Sequence, residues 1–176
     1  RQDYVLWSSP VAAQQLLAFS PATLTNRFYT YDSATDKYIP VFSPATTNFA
    51  LGTGYLIRVP NTHPTTPTIW GGQFTGVPNN GTVNLTVANA TYNAIGNPYP
   101  STIDADTFIA ANGITEALYF WRKTNNSNNS SYATYTTAGG VCNAGGDTLG
   151  LTPSGIISVG KGFIVKSIST NISFTN

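Results

Sequence analysis

Charged side chains are scarce in this chain of 176 residues, because Asp, Glu, Lys and Arg together make up only 9% of it. Eight basic residues stand against seven acidic ones, and they are scattered singly, so no basic stripe exists to neutralise a phosphate backbone. Long apolar runs are also lacking, and none approaches the roughly 18 residues of a membrane-spanning helix. The sequence therefore predicts neither a nucleic-acid partner nor a membrane span.

Cysteine and histidine occur once each, and methionine does not occur. Cys142 has no second cysteine for an internal disulfide, and a catalytic thiol would need a histidine partner. The only histidine, His63, is followed by Pro64 in a Thr/Pro-rich loop. We interpret Cys142 as a small, half-buried loop residue, with an intermolecular disulfide as the alternative. Because the chain begins with Arg1 and lacks methionine, we expect it to be a processed or excised segment.

No pattern of catalytic or ligand-binding residues stands out. Asp104 and Asp106 match no calcium loop, and an electrostatic role in the first turn of a helix explains them. The glycine pairs at Gly52–Gly54 and Gly160–Gly162 lack the further residues of a phosphate-binding loop, so they favour a bulge or a close backbone approach. The seven acids select no pair for hydrolysis. We therefore predict no enzyme, no cofactor and no metal site.

Aromatic side chains are plentiful, with 3 Trp, 10 Tyr and 9 Phe, and together with Thr and Val they favour pleated sheets. Apolar and polar residues alternate over Thr82–Val87, which is typical of a strand with one wet face. Further strands are predicted at Tyr4–Trp7, Phe28–Tyr31, Tyr38–Phe42, Tyr55–Val59, Thr68–Phe74, Tyr92–Ile95, Ala117–Arg122, Tyr132–Thr136, Ile156–Val159, Phe163–Val165 and Ile168–Phe174. A short helix is predicted over Ser101–Ile109, with a matching segment at Val11–Phe19.

The chain contains an internal repeat. Its strongest echoes pair Tyr4–Pro10 with Tyr92–Pro98, Phe28–Tyr29 with Tyr119–Phe120, Gly52–Arg58 with Gly160–Lys166, and Ile69–Thr75 with Ile168–Thr175. Apolar, aromatic and glycine positions recur, whereas acids, bases and thiols do not. We predict an all-β fold, sandwich-like or jelly-roll-like, built from two fused pseudo-repeats at residues 1–88 and 89–176, with one or two short helices.

The second copy is shorter at its end than the first. Copy one continues past Phe74 into the strand at Thr82–Val87, whereas copy two reaches Asn176 and stops. Truncation is one explanation, and strand addition by a neighbouring subunit is the other. Under the second explanation the terminal segments cross between copies, head-to-tail, and the filament contacts involve Tyr4, Val5, Trp7, Ile168, Ile172 and Phe174.

Two features of the sequence point to sugars. Ser33 and Thr148 each follow an aspartate in a polar loop and fit the short Asp-Ser/Thr-apolar pattern that Bacteroidota use for O-glycosylation. Trp70 is flanked by Gly71 and Gly72, so it is the tryptophan expected to be exposed, and an exposed ring can stack on a sugar. We therefore keep a carbohydrate-binding or adhesive module, with surface glycans as partners, as the alternative to a self-associating subunit.

The segment Tyr92–Asp106, with Leu118–Trp121 and Val159–Phe163, resembles repeated β-rich regions of large secreted surface proteins of Flavobacterium-like Bacteroidota, which are cargo of the type IX secretion system. We expect no sorting domain within residues 1–176, although one often follows this region in those proteins. The resemblance implies export to the cell surface, an all-β fold and no known catalytic residues. With it, the sequence predicts an extracellular or cell-surface structural protein that acts by self-association, as a fibre or filament subunit.

Overall fold

The computed structural model describes residues 3–66, 68–122, 132–142 and 152–176. In chain order its elements are β1 (Tyr4–Trp7), α1 (Leu16–Phe19), β2 (Phe28–Asp32), β3 (Lys37–Pro40), β4 (Tyr55–Arg58), β5 (Val83–Thr86), β6 (Tyr92–Gly96), β7 (Ile103–Asp104), α2 (Ala105–Asn112), β8 (Leu118–Trp121), β9 (Tyr132–Thr136), β10 (Gly139–Val141), β11 (Ile156–Ile157), β12 (Gly162–Lys166) and β13 (Asn171–Phe174). A single 3-10 turn, Thr25–Arg27, precedes β2. The predicted all-β class, with two short helices, is confirmed.

Two antiparallel sheets face each other as a sandwich. One has the strand order β1-β4-β2-β3 and the other β10-β9-β8-β12-β6, while β7 with β11 and β5 with β13 form short two-stranded sheets. We call the first sheet with α1 and residues 68–79 lobe 1, and the second sheet with α2, β5, β7, β11 and β13 lobe 2. Each lobe has its own apolar core on the outer side of its sheet.

The two lobes have the same topology. Strands β1, β4, β2 and β3 of lobe 1 correspond in order to β6, β12, β8 and β9 of lobe 2. Their registers also agree, because Tyr4 pairs with Arg58 as Tyr92 pairs with Lys166. The glycine pairs precede or begin equivalent strands, β4 and β12. The internal repeat in the sequence therefore corresponds to a repeat in the fold.

One echo of the repeat is shifted by a residue. The sequence aligned Phe28 with Tyr119, but the sheet register pairs Phe28 with Ile57 in lobe 1 and Leu118 with Val165 in lobe 2. Phe28 therefore corresponds to Leu118, and both side chains are fully buried. A shift of one residue moves a side chain to the other face of a sheet. With the corrected alignment, the tyrosines that directly follow Phe28 and Leu118 lie on equivalent faces of the two sheets.

The layer between the sheets is built mainly from tyrosine, and we call it the tyrosine layer. It contains Tyr4, Leu6, Tyr29, Tyr31, Tyr38 and Leu56 from lobe 1 and Tyr92, Ala94, Tyr119, Trp121, Tyr132 and Ile164 from lobe 2. These residues form six pairs related by the repeat. Edge-to-face contacts are repeated as well, since the Tyr4 and Tyr29 ring centroids lie 5.8 Å apart and those of Tyr92 and Tyr119 lie 5.7 Å apart.

The lobe cores repeat a stacked pair of phenylalanines. Phe19 stacks on Phe74 at 4.5 Å between ring centroids, and Phe108 stacks on Phe174 at 4.9 Å. The first ring of each pair lies on the short helix of its lobe, and the second lies on the segment that crosses beside that helix. The echo between Ile69–Thr75 and Ile168–Thr175 therefore marks equivalent core positions.

Reciprocal contacts join the lobes. The Ser8 N–H donates to the Gly160 carbonyl at 2.9 Å, and the equivalent Gly96 N–H donates to the Gly52 carbonyl at 2.9 Å. A side chain on Gly162 would meet the Leu6 backbone at 3.0 Å. Gly54 would likewise meet the Ile95 carbonyl oxygen at 2.9 Å. The glycine pairs thus mark places where the backbone of the other lobe approaches closely, and the lobes are related by a pseudo-twofold axis.

The main helix begins later than the sequence predicted. Asp104, not Ser101, is its N-cap, and its side chain accepts the Thr107 N–H at 2.7 Å. That backbone hydrogen bond lowers the pKa of Asp104, which explains this acid without a ligand. Gly113 ends the helix with φ of 60°, a left-handed conformation that glycine adopts without strain. Neither helix in the described part of the chain has the length and apolar character needed to cross a bilayer.

Candidate functional site

The predicted assembly residues lie mostly in strands that are already paired within the chain. Tyr4, Val5 and Trp7 belong to β1, which pairs with β4 along its length. Ile172 and Phe174 are each 1% exposed and lie in β13, which pairs with β5. Ile168 precedes β13 and is exposed. In the structure β5 fills the gap expected beside copy two, which corrects that expectation. Strand β1 is still the edge strand of its sheet, so the assembly role of these residues stays a prediction.

The pairing of β5 shows that the unpaired edge lies in lobe 1, whereas the sequence placed it beside copy two. The division at residue 88 assigns β5 to the first pseudo-repeat, but among the described residues β5 pairs only with β13, and it buries Val83 in the core of lobe 2. The counterparts of 170–174 in lobe 1 are residues 70–74, which were predicted as part of a strand. No described residue hydrogen-bonds to the backbone of 70–74, and we call this segment the open edge.

Tryptophans close the core of lobe 1 beside the open edge. The Trp70 ring meets Trp7 edge-on at 5.8 Å between centroids and Phe19 at 5.5 Å. In lobe 2 the corresponding cover is supplied by Val83 and Leu85 of β5. Trp70, which was expected to be exposed, is half-buried. In lobe 1, aromatic rings therefore cover the core at the place where lobe 2 has the strand β5. These rings form no backbone hydrogen bonds of the kind that β5 forms with β13.

A groove lies between α1 and the open edge, with a volume of about 490 Å³. Its lining includes Phe19, His63, Trp70, Gln73 and Thr75. The His63 ring nitrogen Nε2 lies 2.9 Å from the Thr68 hydroxyl oxygen. A smaller cavity of about 270 Å³ occupies the equivalent place in lobe 2, between α2 and β13. Only the groove in lobe 1 combines a tryptophan with polar side chains, as a sugar subsite does.

A third cavity, of about 340 Å³, opens at the rim of the tyrosine layer, and we call it the tyrosine cleft. It is lined by Tyr31, Asp36, Tyr38, Tyr92, Tyr119, Tyr132 and Ile164. The Tyr31 hydroxyl donates to Asp36 Oδ1, and the hydroxyl oxygens of Tyr38 and Tyr132 lie 3.1 Å apart. Every tyrosine ring in the lining is half-buried. The cleft therefore offers ring faces, hydroxyl groups and one carboxylate to a ligand.

Burial raises the pKa of several of these phenols. It raises the pKa of Tyr38, and the neighbouring Tyr132 raises it further. Burial also raises the pKa of Tyr31, with the hydrogen bond to Asp36 as the second cause. The pKa of Tyr119 is raised for the same first reason. These tyrosines therefore remain uncharged at physiological pH.

The two candidate glycosylation residues differ in what the structure describes. Ser33 lies in the β2–β3 turn, and its hydroxyl donates to Asn93 Oδ1 at 3.0 Å. A glycan on Ser33 would break this bond to a buried side chain. Thr148 lies outside the described residues. Glycosylation of both residues stays a prediction.

The described residues contain no cluster of three or more His, Cys, Asp or Glu side chains able to hold a metal ion. Asp106 accepts a hydrogen bond from the Tyr135 hydroxyl at 3.1 Å, so both acids of the first helical turn have protein donors. Cys142 is half-buried. Sequence reasoning missed the tyrosine cleft, although a signal was present: Tyr29 and Tyr31 alternate on β2, and most tyrosines of the layer recur between the copies.

Comparison with known proteins places the chain by family alone. No curated protein and no solved structure shows significant similarity to it. One family model matches, and the match extends over residues 1–176. The chain therefore belongs to the family described as Domain of unknown function (DUF8693).

Proposed function

We propose that the chain is a non-enzymatic protein of the extracellular or cell surface that acts by association with copies of itself, each copy receiving a strand from a neighbour at the open edge of lobe 1. The observation that carries this proposal is the unpaired backbone of residues 70–74. An edge with free N–H and C=O groups is a template for strand addition. Its counterpart in lobe 2 is already covered by β5.

The equivalent ladder in lobe 2 indicates what an incoming strand must present. Val83 lies opposite Phe174 and Leu85 lies opposite Ile172, so apolar residues alternate along β5. An added strand beside Phe74 and Gly72 would place its own apolar residues against half-buried aromatic rings. Burial of those rings and formation of the backbone bonds would stabilise the contact together.

The charge of the chain favours contact between copies. With a net charge of +1 and 9% charged residues, long-range repulsion between two copies is small. The proposed contact joins different surfaces of two copies, so it is head-to-tail and propagates into a filament or closes into a ring. Because backbone bonds and apolar contacts hold it, its strength is expected to change little with salt.

Blocking the open edge tests this proposal. Gly71→Lys places a charge on the edge, and no atom lies within 4 Å of the added Cβ, so the fold itself accommodates it. Asn171→Lys is the matched control, because Asn171 is the exposed counterpart of Gly71 on a strand already covered by β5. In sedimentation velocity over a concentration series, the wild type and Asn171→Lys are expected to form oligomers and Gly71→Lys to remain monomeric.

A wild-type chain that stays monomeric at the highest concentration would contradict the proposal. So would a Gly71→Lys chain that assembles as the wild type does. Repeating the series at low and high salt checks the expected insensitivity to ionic strength. Electron microscopy of the same samples distinguishes filaments from closed rings.

Binding of a surface glycan is a second candidate function, favoured by the groove that Trp70 lines. Stacking on an aromatic ring together with polar contacts is a common way of holding a sugar. Trp70→Ala is expected to abolish retardation of the chain in gels containing a bound polysaccharide. Phe42→Ala is the control, since Phe42 is 90% exposed and lies outside the groove lining. Equal retardation of both variants and the wild type would exclude this groove.

A further inference from the structure

The tyrosine cleft has the shape of a box. Its ring planes are close to perpendicular, at 72° between Tyr31 and Tyr38, 85° between Tyr92 and Tyr119, and 87° between Tyr119 and Tyr132. A flat sugar ring is held by one exposed aromatic face, whereas perpendicular rings present faces from several sides to a rounded group. The cleft volume of about 340 Å³ lies at the small end of ligand pockets.

The charge of the lining has one sign. Asp36 is the only charged residue in it, and its carboxylate already accepts the Tyr31 hydroxyl. Just outside the lining, Glu116 forms an ion pair with Lys166 at 2.7 Å, so these two charges offset each other. The ring faces of neutral phenols are themselves electron-rich. The cleft is therefore electronegative and has no cation in its own lining.

One ring of the cleft already contacts a cation of the chain. The Lys166 ammonium lies 5.9 Å from the centroid of the Tyr92 ring, within the distance of a cation–π contact. The repeat does not reproduce the whole lining, because Trp121 takes the place of Tyr31. Tyr132 follows Tyr38 by 94 positions, and the residue 94 positions after Asp36 is Ser130. Asp36 therefore has no acidic counterpart in the other pseudo-repeat. The packing of two equivalent sheets does not require an acid at this position.

We propose that the tyrosine cleft binds an organic cation whose charge is surrounded by alkyl groups, such as a trimethylammonium group, with the tyrosine rings as walls and Asp36 as the counter-charge at the mouth. Aromatic rings compensate the lost hydration of such a cation, and a diffuse charge is less costly to desolvate than a compact one. This site shares no residue with the open edge, so it stands whether or not the chain assembles.

Choline is the probe, and 3,3-dimethylbutan-1-ol, which has the same shape without the charge, is the control ligand. Binding is measured on the wild-type chain by NMR chemical-shift titration of the tyrosine ring protons. Choline is expected to bind saturably and at least roughly tenfold more tightly than the neutral alcohol. Phosphatidylcholine vesicles form a second arm, in which co-sedimentation would assign the cation to a lipid headgroup instead of a free small molecule.

Variants test the assigned residues. Asp36→Asn is expected to weaken choline binding about fivefold or more, because the counter-charge is lost. Asp106→Asn is the matched control, since it removes an acid that also accepts a tyrosine hydroxyl but lies outside the cleft. Equal affinities for choline and the alcohol, no saturable shift with choline, or saturable binding of a neutral methyl glycoside at the same rings would each overturn the proposal.

Discussion

Gly96→Ala is expected to lower the free energy of unfolding by about 3 kcal/mol, because the new methyl group meets backbone that cannot move aside. The added Cβ would lie 2.8 Å from the Lys161 carbonyl oxygen and 2.9 Å from the Gly162 Cα, and it would overlap the Ser8 Cβ. Ser8 belongs to lobe 1, whereas Lys161 and Gly162 belong to lobe 2 and lie beside the place where the lobes exchange hydrogen bonds. Urea denaturation followed by tryptophan fluorescence measures the loss.

Gly71→Ala is the control for that substitution. No atom lies within 4 Å of its added Cβ, so the variant is expected to match the wild type or gain a few tenths of a kcal/mol from a less flexible unfolded chain. If Gly96→Ala were as stable as Gly71→Ala, the close approach at the pseudo-twofold axis would not restrict that position. The comparison removes the general effect of exchanging glycine for alanine.

Lys161→Met is expected to raise the free energy of unfolding by about 3 kcal/mol at pH 7. Burial lowers the pKa of Lys161 to about 8, and the charge of Arg122 is the second cause. The Lys161 ammonium lies 5.9 Å from the Phe120 ring centroid, and this contact does not replace its lost hydration. Methionine fills a similar space without a charge.

The folded and unfolded pKa values of Lys161 determine how the free energy of unfolding changes with pH. Between the folded pKa of about 8 and the unfolded pKa of about 10.5, the unfolded chain holds a proton that the folded chain has released. Stability therefore rises with pH through this window, and the cost is fully present below it. The advantage of Lys161→Met over the wild type should shrink by about 2 kcal/mol from pH 8 to pH 9.5.

Lys166→Met is the control for the lysine substitution. Lys166 forms an ion pair with Glu116 and its pKa is raised by that contact, so its removal is expected to destabilise the chain slightly. Taking the difference between each variant and the wild type cancels the contribution of the buried tyrosines at high pH. A constant advantage of Lys161→Met across pH 7 to 9.5 would contradict the burial of the Lys161 charge.

The repeat was predictable because the same positions must be filled twice for two lobes to meet around an axis. Gly54 and Gly162 are needed for close approach, and Phe74 and Phe174 for the same stacked pair. The error at Phe28 has a physical cause. Phenylalanine and tyrosine are similar residues, so an alignment does not distinguish the two neighbouring rings at the start of β2. These rings lie on opposite faces of the strand, and only the register with β4 shows which ring faces the lobe core.

Long-range pairing was beyond the sequence pattern. The sequence predicts strands at both Thr68–Phe74 and Ile168–Phe174, yet only the second has a partner among the described residues. A strand exists when another strand lies beside it, and β5 pairs with residues almost a full repeat away. The open edge was not predicted for the same reason: without the pairing partner of β5, the sequence placed the missing strand beside copy two. The tyrosine cleft was missed because its lining comes from six separate strands and a turn.

The reciprocal exchange between Ser8, Gly52, Gly96 and Gly160 has a consequence for how the molecule comes apart. Each half supplies the backbone partner that the other half lacks, so melting of either one leaves the survivor with unpaired buried amides and a bare aromatic face. The two halves therefore share one unfolding equilibrium, and stability added to one half protects the other against thermal or proteolytic opening.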